Sequence, residues 1–388
     1  MNQFIPYGRQ DISQQDIDAV VEVLRSDWIT QGPAIPRFEQ AVADYCGVNY
    51  AVAVTSATAA LHIACLAADL GSGDILWTSP NTFVASANCG LYCGAEVDFV
   101  EIDPRTYNLS IEEFERKLDL AKQQGQLPKV VVPVHFSGQS CQMDRIAELA
   151  KNYGFQVIED ASHAIGANYR GKPVGTCAFS DLAVFSFHPV KIITTGEGGM
   201  VLTNREDLYE KLIRLRTHGI TRNPDLMQEE SHGLWYYQQL ELGFNYRITD
   251  IQAALGASQM QRLDEFVARR RVLAARYNEL LQDLPITLPW QHPDTESSWH
   301  LYVIRLQLEK INKTHRQVFE ELRQAGIGVN LHYIPVHTQP YYQKLGFEWG
   351  DFPQSEQYYR EAISIPLYAG LTQENQDRAI ESLRGILG

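Results

Sequence analysis

Apolar positions first recur at helical spacing near the start of the chain. Ile17, Val20, Val21 and Leu24 stand at i, i+3, i+4 and i+7 behind Ser13, whose hydroxyl suits an N-cap. Phe38, Ala41, Val42 and Tyr45 repeat the spacing after Pro36, a residue suited to a first helical turn, and Gly47 predicts the stop. From residue 50 the pattern changes. Short apolar runs at 50–54, 75–78, 97–102, 130–135, 155–159, 182–187 and 200–203 read as strands, with helical stretches at 58–69, 81–93, 111–123 and 144–153 among them. Continuous apolar runs suit strands buried on both faces. The pattern therefore predicts an α/β fold, a mainly parallel central sheet with helices on both sides.

The character shifts again near residue 249. Thr249-Asp250-Ile251-Gln252 fits a capping box, and one long helix is expected from it to about residue 281. A proline-rich stretch follows (Pro285, Pro289, Pro293), then a strand at 301–306, a helix at 315–325, a strand at 328–333 and a last helix at 373–387 behind Thr372. These elements divide the chain into a large domain at 1–250 and a smaller α+β domain at 251–388. Neither repeats nor low-complexity segments interrupt them.

Composition narrows the function classes. The 388 residues are 45% hydrophobic and 21% charged, as in globular proteins. The 33 Lys and Arg against 47 Asp and Glu give a formal net charge of −14, which argues against a general grip on nucleic acid. The six cysteines form no CxxC pair and read as reduced thiols. Cys89 and Cys93 share a helical spacing, but no second Cys/His pair completes a metal site. The N-terminal MNQFIPYGRQDIS lacks a signal pattern, and no apolar run approaches the ~20 residues of a membrane span. A soluble, cytoplasmic protein is expected.

In an open parallel sheet, ligands sit beyond the carboxyl ends of the strands. Thr55-Ser56-Ala57-Thr58 leaves a strand and opens a helix of small residues, so its free N–H groups suit a phosphate or serve as an ordinary cap. Asp160 ends an apolar strand, where a carboxylate suits a metal, a cationic ring nitrogen or a turn. His163 follows three residues on, as a ligand, a ring partner or a structural histidine. Lys191 follows a strand rich in aromatics and precedes a Thr/Gly-rich turn. A desolvated lysine there would favour the neutral amine that forms Schiff bases, whereas a surface lysine would do nothing of the kind. P-loop, GxGxxG, HExxH and GxSxG motifs are absent. The order of an anion-binding helix start, Asp, His and Lys is what pyridoxal 5′-phosphate requires: phosphate donors, a carboxylate for the ring nitrogen, and an amine for the aldehyde.

At these residues the chain resembles the DegT/DnrJ/EryC1/StrS family of sugar aminotransferases. The likeness is carried by residues 159–204 (EDASHAIGANYRGKPVGTCAFSDLAVFSFHPVKIITTGEGGMVLTN), TQGP at 30–33, TSATAAL at 55–61, NYR at 245–247 and HYIPVH at 332–337. It implies the fold-type-I pyridoxal phosphate architecture and a homodimer with shared active sites. It also implies roles. Lys191 would bind the cofactor aldehyde and shuttle the proton, Asp160 would pair with the ring nitrogen, Phe83 would stack on the ring and His163 would lie by the ring hydroxyl. Ser56, Ala57 and Ser186 would hold the phosphate, with Asn245 contributed by the partner subunit. Tyr7, the segment Asp27, Trp28, Ile29 and Thr30, and the segment Leu331, His332, Tyr333 and Ile334 would face the sugar nucleotide, to which Ser56, Ser186 and Asn245 are also near.

Family members that deoxygenate sugars typically carry histidine in place of the lysine, so Lys191 favours transamination. TSATAAL, SFHPVKIITTGEGGM and VNLHYIPVHTQPYYQKLGF are similar to the subgroup of pseudaminic acid biosynthesis. That likeness implies L-glutamate as donor and UDP-2-acetamido-2,6-dideoxy-β-L-arabino-hexos-4-ulose, a UDP-4-keto-6-deoxy-N-acetyl sugar, as acceptor. Its product would be UDP-4-amino-4,6-dideoxy-N-acetyl-β-L-altrosamine. The alternatives are another UDP- or dTDP-4-keto-6-deoxysugar as acceptor, or a non-catalytic regulator that binds the cofactor. A nicotinamide-dependent oxidoreductase fails on the missing glycine fingerprint.

Overall fold

The computed structural model describes residues 4–388; the first three residues of the N-terminal stretch lie outside it. A seven-stranded sheet runs in the order Tyr50–Val54, Gly199–Thr203, Leu182–Ser186, Gln156–Asp160, Val130–Val132, Ile75–Thr78, Glu96–Phe99. Gly199–Thr203 lies antiparallel to both of its neighbours, and the other pairs are parallel.

Alternation along each strand builds the layers. Val52, Val54, Val184 and Val201 pack on the face covered by the helices Ala57–Ala67 and Glu206–Arg216. Ala51, Ala53, Ala183, Phe185 and Leu202 face the opposite side, against the helices Ala34–Cys46 and Asp250–Met260. Phe185 is fully buried there, a contribution of roughly 1.5–3 kcal/mol. Trp77, Val131 and Val157 pack beneath the helices Ile111–Gln124 and Met143–Tyr153. A second, three-stranded antiparallel sheet joins Ile286–Thr287, Tyr302–Leu306 and Ala362–Ile365. Its core includes Tyr277, Val318, Ile380 and Leu383, from helices Leu263–Leu280, His315–Gln324 and Gln373–Leu387, and also Ile5 from the start of the chain.

Local signals were accurate where side chains satisfy the backbone. Ser13 caps the helix Gln14–Leu24, in a box completed by Asp16. Gly47 ends the next helix at φ 66°, a left-handed conformation that glycine adopts freely. Thr249 and Gln252 form the expected capping box. Three expectations need correction. The helix expected at 81–93 is only Ala85–Tyr92, because Asn81 and Thr82 turn inward, buried, to bond Tyr333 N–H and the Ser86 hydroxyl. The long helix breaks after Met260, where Arg262 leaves helical geometry and reaches Asp11 and Asp16. The strand expected at 328–333 is reduced to an isolated bridge, Asn330 to Ser364; beyond it the chain turns its side chains into a cleft.

Candidate active site

A cleft of about 550 Å³ opens where the strands Tyr50–Val54, Gln156–Asp160 and Leu182–Ser186 end. Ser56, Ala57, Asp160, His163, Ser186 and Lys191 line it together, as do Tyr7, Phe83, Leu331, His332 and Tyr333.

Asp160 is the last residue of its strand and is buried. Its Oδ2 accepts the Ser86 hydroxyl at 2.6 Å, and its Oδ1 accepts the Ser162 N–H at 3.1 Å. Ser86 gives its only hydroxyl proton to the carboxylate, so Thr82 Oγ1, 2.7 Å away, must donate to Ser86. A relay from Thr82 through Ser86 thus aims the carboxylate from below.

Lys191 sits on an excursion whose base is tied shut. Phe187 N–H bonds Gly198 O at 2.9 Å, and Thr195 N–H bonds Phe187 O at 3.0 Å. The Thr194 hydroxyl closes on Phe187 O and accepts Gly196 N–H, both at 2.9 Å. The Thr-Thr-Gly run therefore holds the lysine's loop. Burial pushes the Lys191 ammonium down to about 8, against the opposing pull of Asp160.

The turn after Tyr50–Val54 is shaped for an anion. Ser56 caps the helix Ala57–Ala67 by accepting the Ala59 N–H at 3.1 Å, which leaves the first amides of the helix unsatisfied at the cleft. Gly199 passes so close that a Cβ there would lie 2.5 Å from Ser56 C and O and 2.6 Å from Ala57 N.

The far wall is a chain of neutral rings. Ser137 N–H donates to His163 Nδ1 at 3.3 Å, which assigns the proton to Nε2. That N–H donates to Tyr333 Oη at 3.0 Å, leaving the phenol's own proton free for the cleft. Burial, then the charge of Lys191, hold His163 well below the usual histidine range. Leu331 N–H fixes the Asn330 amide by donating to its oxygen, so Asn330 Nδ2 donates to His332 Nε2 at 3.3 Å and His332 Nδ1 donates to Ser364 Oγ at 2.8 Å. Burial pushes His332 down to about 3.

Some expected residues lie elsewhere. Asp27, Trp28, Ile29, Thr30, Asn245 and Ile334 do not line the cleft of a single chain. Thr30 bridges to Thr249 and Asn245 to Thr217, while Trp28, Ile29 and Ile334 are exposed. Thr82, Ser86, Asn330 and His300, which sequence reasoning missed, belong to the site or its support. A polar pair at i and i+4 on an otherwise small apolar segment was the available signal for Thr82 and Ser86. Among the described residues, no group of three or more His, Cys, Asp or Glu is placed to hold a metal.

A buried, hydrogen-bonded carboxylate, a depressed amine, unsatisfied helix amides and an exposed aromatic, Phe83, fit pyridoxal phosphate. Comparison with known proteins agrees. The chain belongs to the DegT/DnrJ/EryC1/StrS aminotransferase family, which it matches over residues 10–384. It is 39% identical to the spore coat polysaccharide biosynthesis protein SpsC of Bacillus subtilis, over 100% of this chain and 98% of that one. Helicobacter pylori PseC, an aminotransferase involved in the biosynthesis of pseudaminic acid, superposes with a TM-score of 0.89 at 31% identity, over 99% of each chain. The sugar aminotransferase Spr1654 of Streptococcus pneumoniae, in its pyridoxal phosphate form, matches at 0.87 and 29%, over 99% of this chain and 98% of that one. The fold is thus that of the pyridoxal-phosphate-dependent transferases, and the chain is a sugar aminotransferase that uses this cofactor.

Proposed function

We propose that the chain moves the amino group of L-glutamate to C4 of UDP-2-acetamido-2,6-dideoxy-β-L-arabino-hexos-4-ulose, giving UDP-4-amino-4,6-dideoxy-N-acetyl-β-L-altrosamine. The observation that carries the transamination is Lys191, with its lowered pKa, in one cleft with Asp160. Likeness to PseC along the whole chain supports the choice of sugar.

Pyridoxal phosphate supplies an aldehyde for amino exchange and a ring that accepts the electron pair released at the reacting carbon. Asp160, aimed by Ser86 and Ser162, would pair with the ring nitrogen and keep it charged. Ser56, Ala57 and Ser186, which line the cleft, would hold the phosphate. Lys191 Nζ takes the proton from the donor Cα, and returns one to the sugar C4, as base and then acid. His163, held neutral, would lie beside the ring hydroxyl, and Phe83 would cover the ring. Tyr7, His332 and Tyr333 face the sugar. The chain works as a cytoplasmic homodimer; Asn245 and the exposed Asp27–Thr30 and Ile334 complete the site across the subunit boundary.

Absorbance of the pyridoxamine phosphate form, mixed with keto sugars that differ at C5, tests the assignment. Return of the pyridoxal phosphate band with the L-arabino sugar alone is expected. Return with only the D-xylo sugar would move the enzyme to another pathway.

A further inference from the structure

His300 is the residue of the cleft whose role neither the sequence nor the mechanism accounts for. It lines the opening yet is only 4% exposed, and its ring centroid lies 4.4 Å from that of His163. Its backbone is pinned, with N–H to Ser137 O at 2.9 Å, but its Nδ1 is buried without a hydrogen-bond partner. An orphaned buried N–H is costlier than an orphaned lone pair, which assigns the ring proton to Nε2. That nitrogen is the edge left to meet a ligand, and it brings a donor.

The surroundings select an anion. Arg270, fully buried, donates from one guanidinium nitrogen to the carbonyls of Trp299, His300 and Leu367, and its Nε has no partner. Among the described residues it has no carboxylate partner, so its charge stands uncompensated behind the His300 backbone. Among the described residues Lys191 is the one Lys or Arg that lines the cleft, and its amine is committed to the reaction. Asp160 is already taken up by Ser86 and Ser162, and Glu197 lies at the exposed rim. The Arg270 charge and the free His300 donor thus meet at one stretch of the cleft wall, a setting that suits a carboxylate.

We infer that His300 Nε2–H binds a carboxylate of the amino-acid donor, with Arg270 supplying the positive field behind it. The inference rests on the aminotransferase reading and adds the donor subsite to it. The diphosphate of the sugar nucleotide is the other anion that could occupy the spot, and the test separates the two.

The experiment uses the holoenzyme and two variants, His300→Phe, which keeps the ring, and His300→Asn, which keeps a donor. Glutarate, an unreactive dicarboxylate, and UDP are titrated into each by calorimetry. The glutamate and keto-sugar half-reactions are followed separately by cofactor absorbance. Loss of a hydrogen bond to a charged group predicts glutarate binding weakened about tenfold or more in His300→Phe, with partial recovery in His300→Asn. The KM for glutamate should rise by a similar factor, and this loss should exceed any loss in the sugar half-reaction by about tenfold. Unchanged glutarate affinity in His300→Phe overturns the inference. A loss for UDP as large as that for glutarate overturns it too, and would assign the anion to the nucleotide. If no sugar is aminated by the wild-type protein, the functional reading fails, whereas the glutarate titration still decides the subsite.

Discussion

Lys191 offers the sharpest test of the electrostatics. Its amine has a pKa of about 8, lowered from 10.5 by burial, with Asp160 pulling the other way. The neutral form, which attacks an aldehyde, exists above the pKa. At pH 7.5 about a quarter of the Lys191 amines would be neutral, against about 0.1% for an ordinary lysine, a ratio of about two hundred. The cofactor-free protein is mixed briefly with pyridoxal phosphate at a series of pH values. Borohydride then fixes the adduct, and labelling of the peptide that carries Lys191 is measured by mass spectrometry. Labelling should rise with pH through a midpoint near 8. Asp160→Asn removes the one opposing charge, so its midpoint should fall below that of the parent. A midpoint near 10.5, or a rise in the Asp160→Asn midpoint, would refute the argument that burial activates this amine.

Other consequences can be checked independently. Lys191→Ala should lose turnover while still binding the cofactor non-covalently, as read by absorbance after gel filtration. Gly199→Ala places a Cβ 2.5 Å from the Ser56 backbone, so unfolding free energy should drop by roughly 1–3 kcal/mol in denaturant titrations and cofactor affinity should fall with it. Ser86→Ala strips Asp160 of a 2.6 Å donor and should lower the stability of the cofactor-free protein by roughly 1.5–3 kcal/mol. Adding Thr82→Val to it should cost little more, since both hydroxyls act through the same carboxylate, and a double-mutant cycle would show the coupling.

What could be read from the sequence was whatever is encoded locally. Ser13, Gly47 and Thr249 each satisfy backbone groups within a few residues, and the ends of their helices follow. The short apolar runs between residues 50 and 203 also marked the sheet, because the strands Tyr50–Val54, Gln156–Asp160, Leu182–Ser186 and Gly199–Thr203 are buried on both faces, whereas the edge strand Glu96–Phe99 alternates. Strand order and the reversal of Gly199–Thr203 depend on distant pairing and were not visible. Asp160, His163 and Lys191 stood out because each lies at or just beyond a strand end, where chemistry is expected. The support around them did not. Ser86 reaches Asp160 across 74 positions, and Tyr333 reaches His163 across 170. His300 gave no signal at all, since its interest lies in a missing partner. TQGP at 30–33 and NYR at 245–247 matched family motifs, yet Thr30 and Asn245 lie outside the cleft of one chain.

The most direct test follows the nitrogen itself. Glutamate labelled at its amino nitrogen is incubated with the holoenzyme and the UDP-4-keto-6-deoxy-N-acetyl sugar, and the sugar nucleotide is recovered for NMR and mass analysis. The account predicts labelled nitrogen bonded to C4 of the sugar, formed by the parent protein and absent with Lys191→Ala. Labelled product formed equally by Lys191→Ala, or a sugar that stays unlabelled with the parent protein, would contradict it.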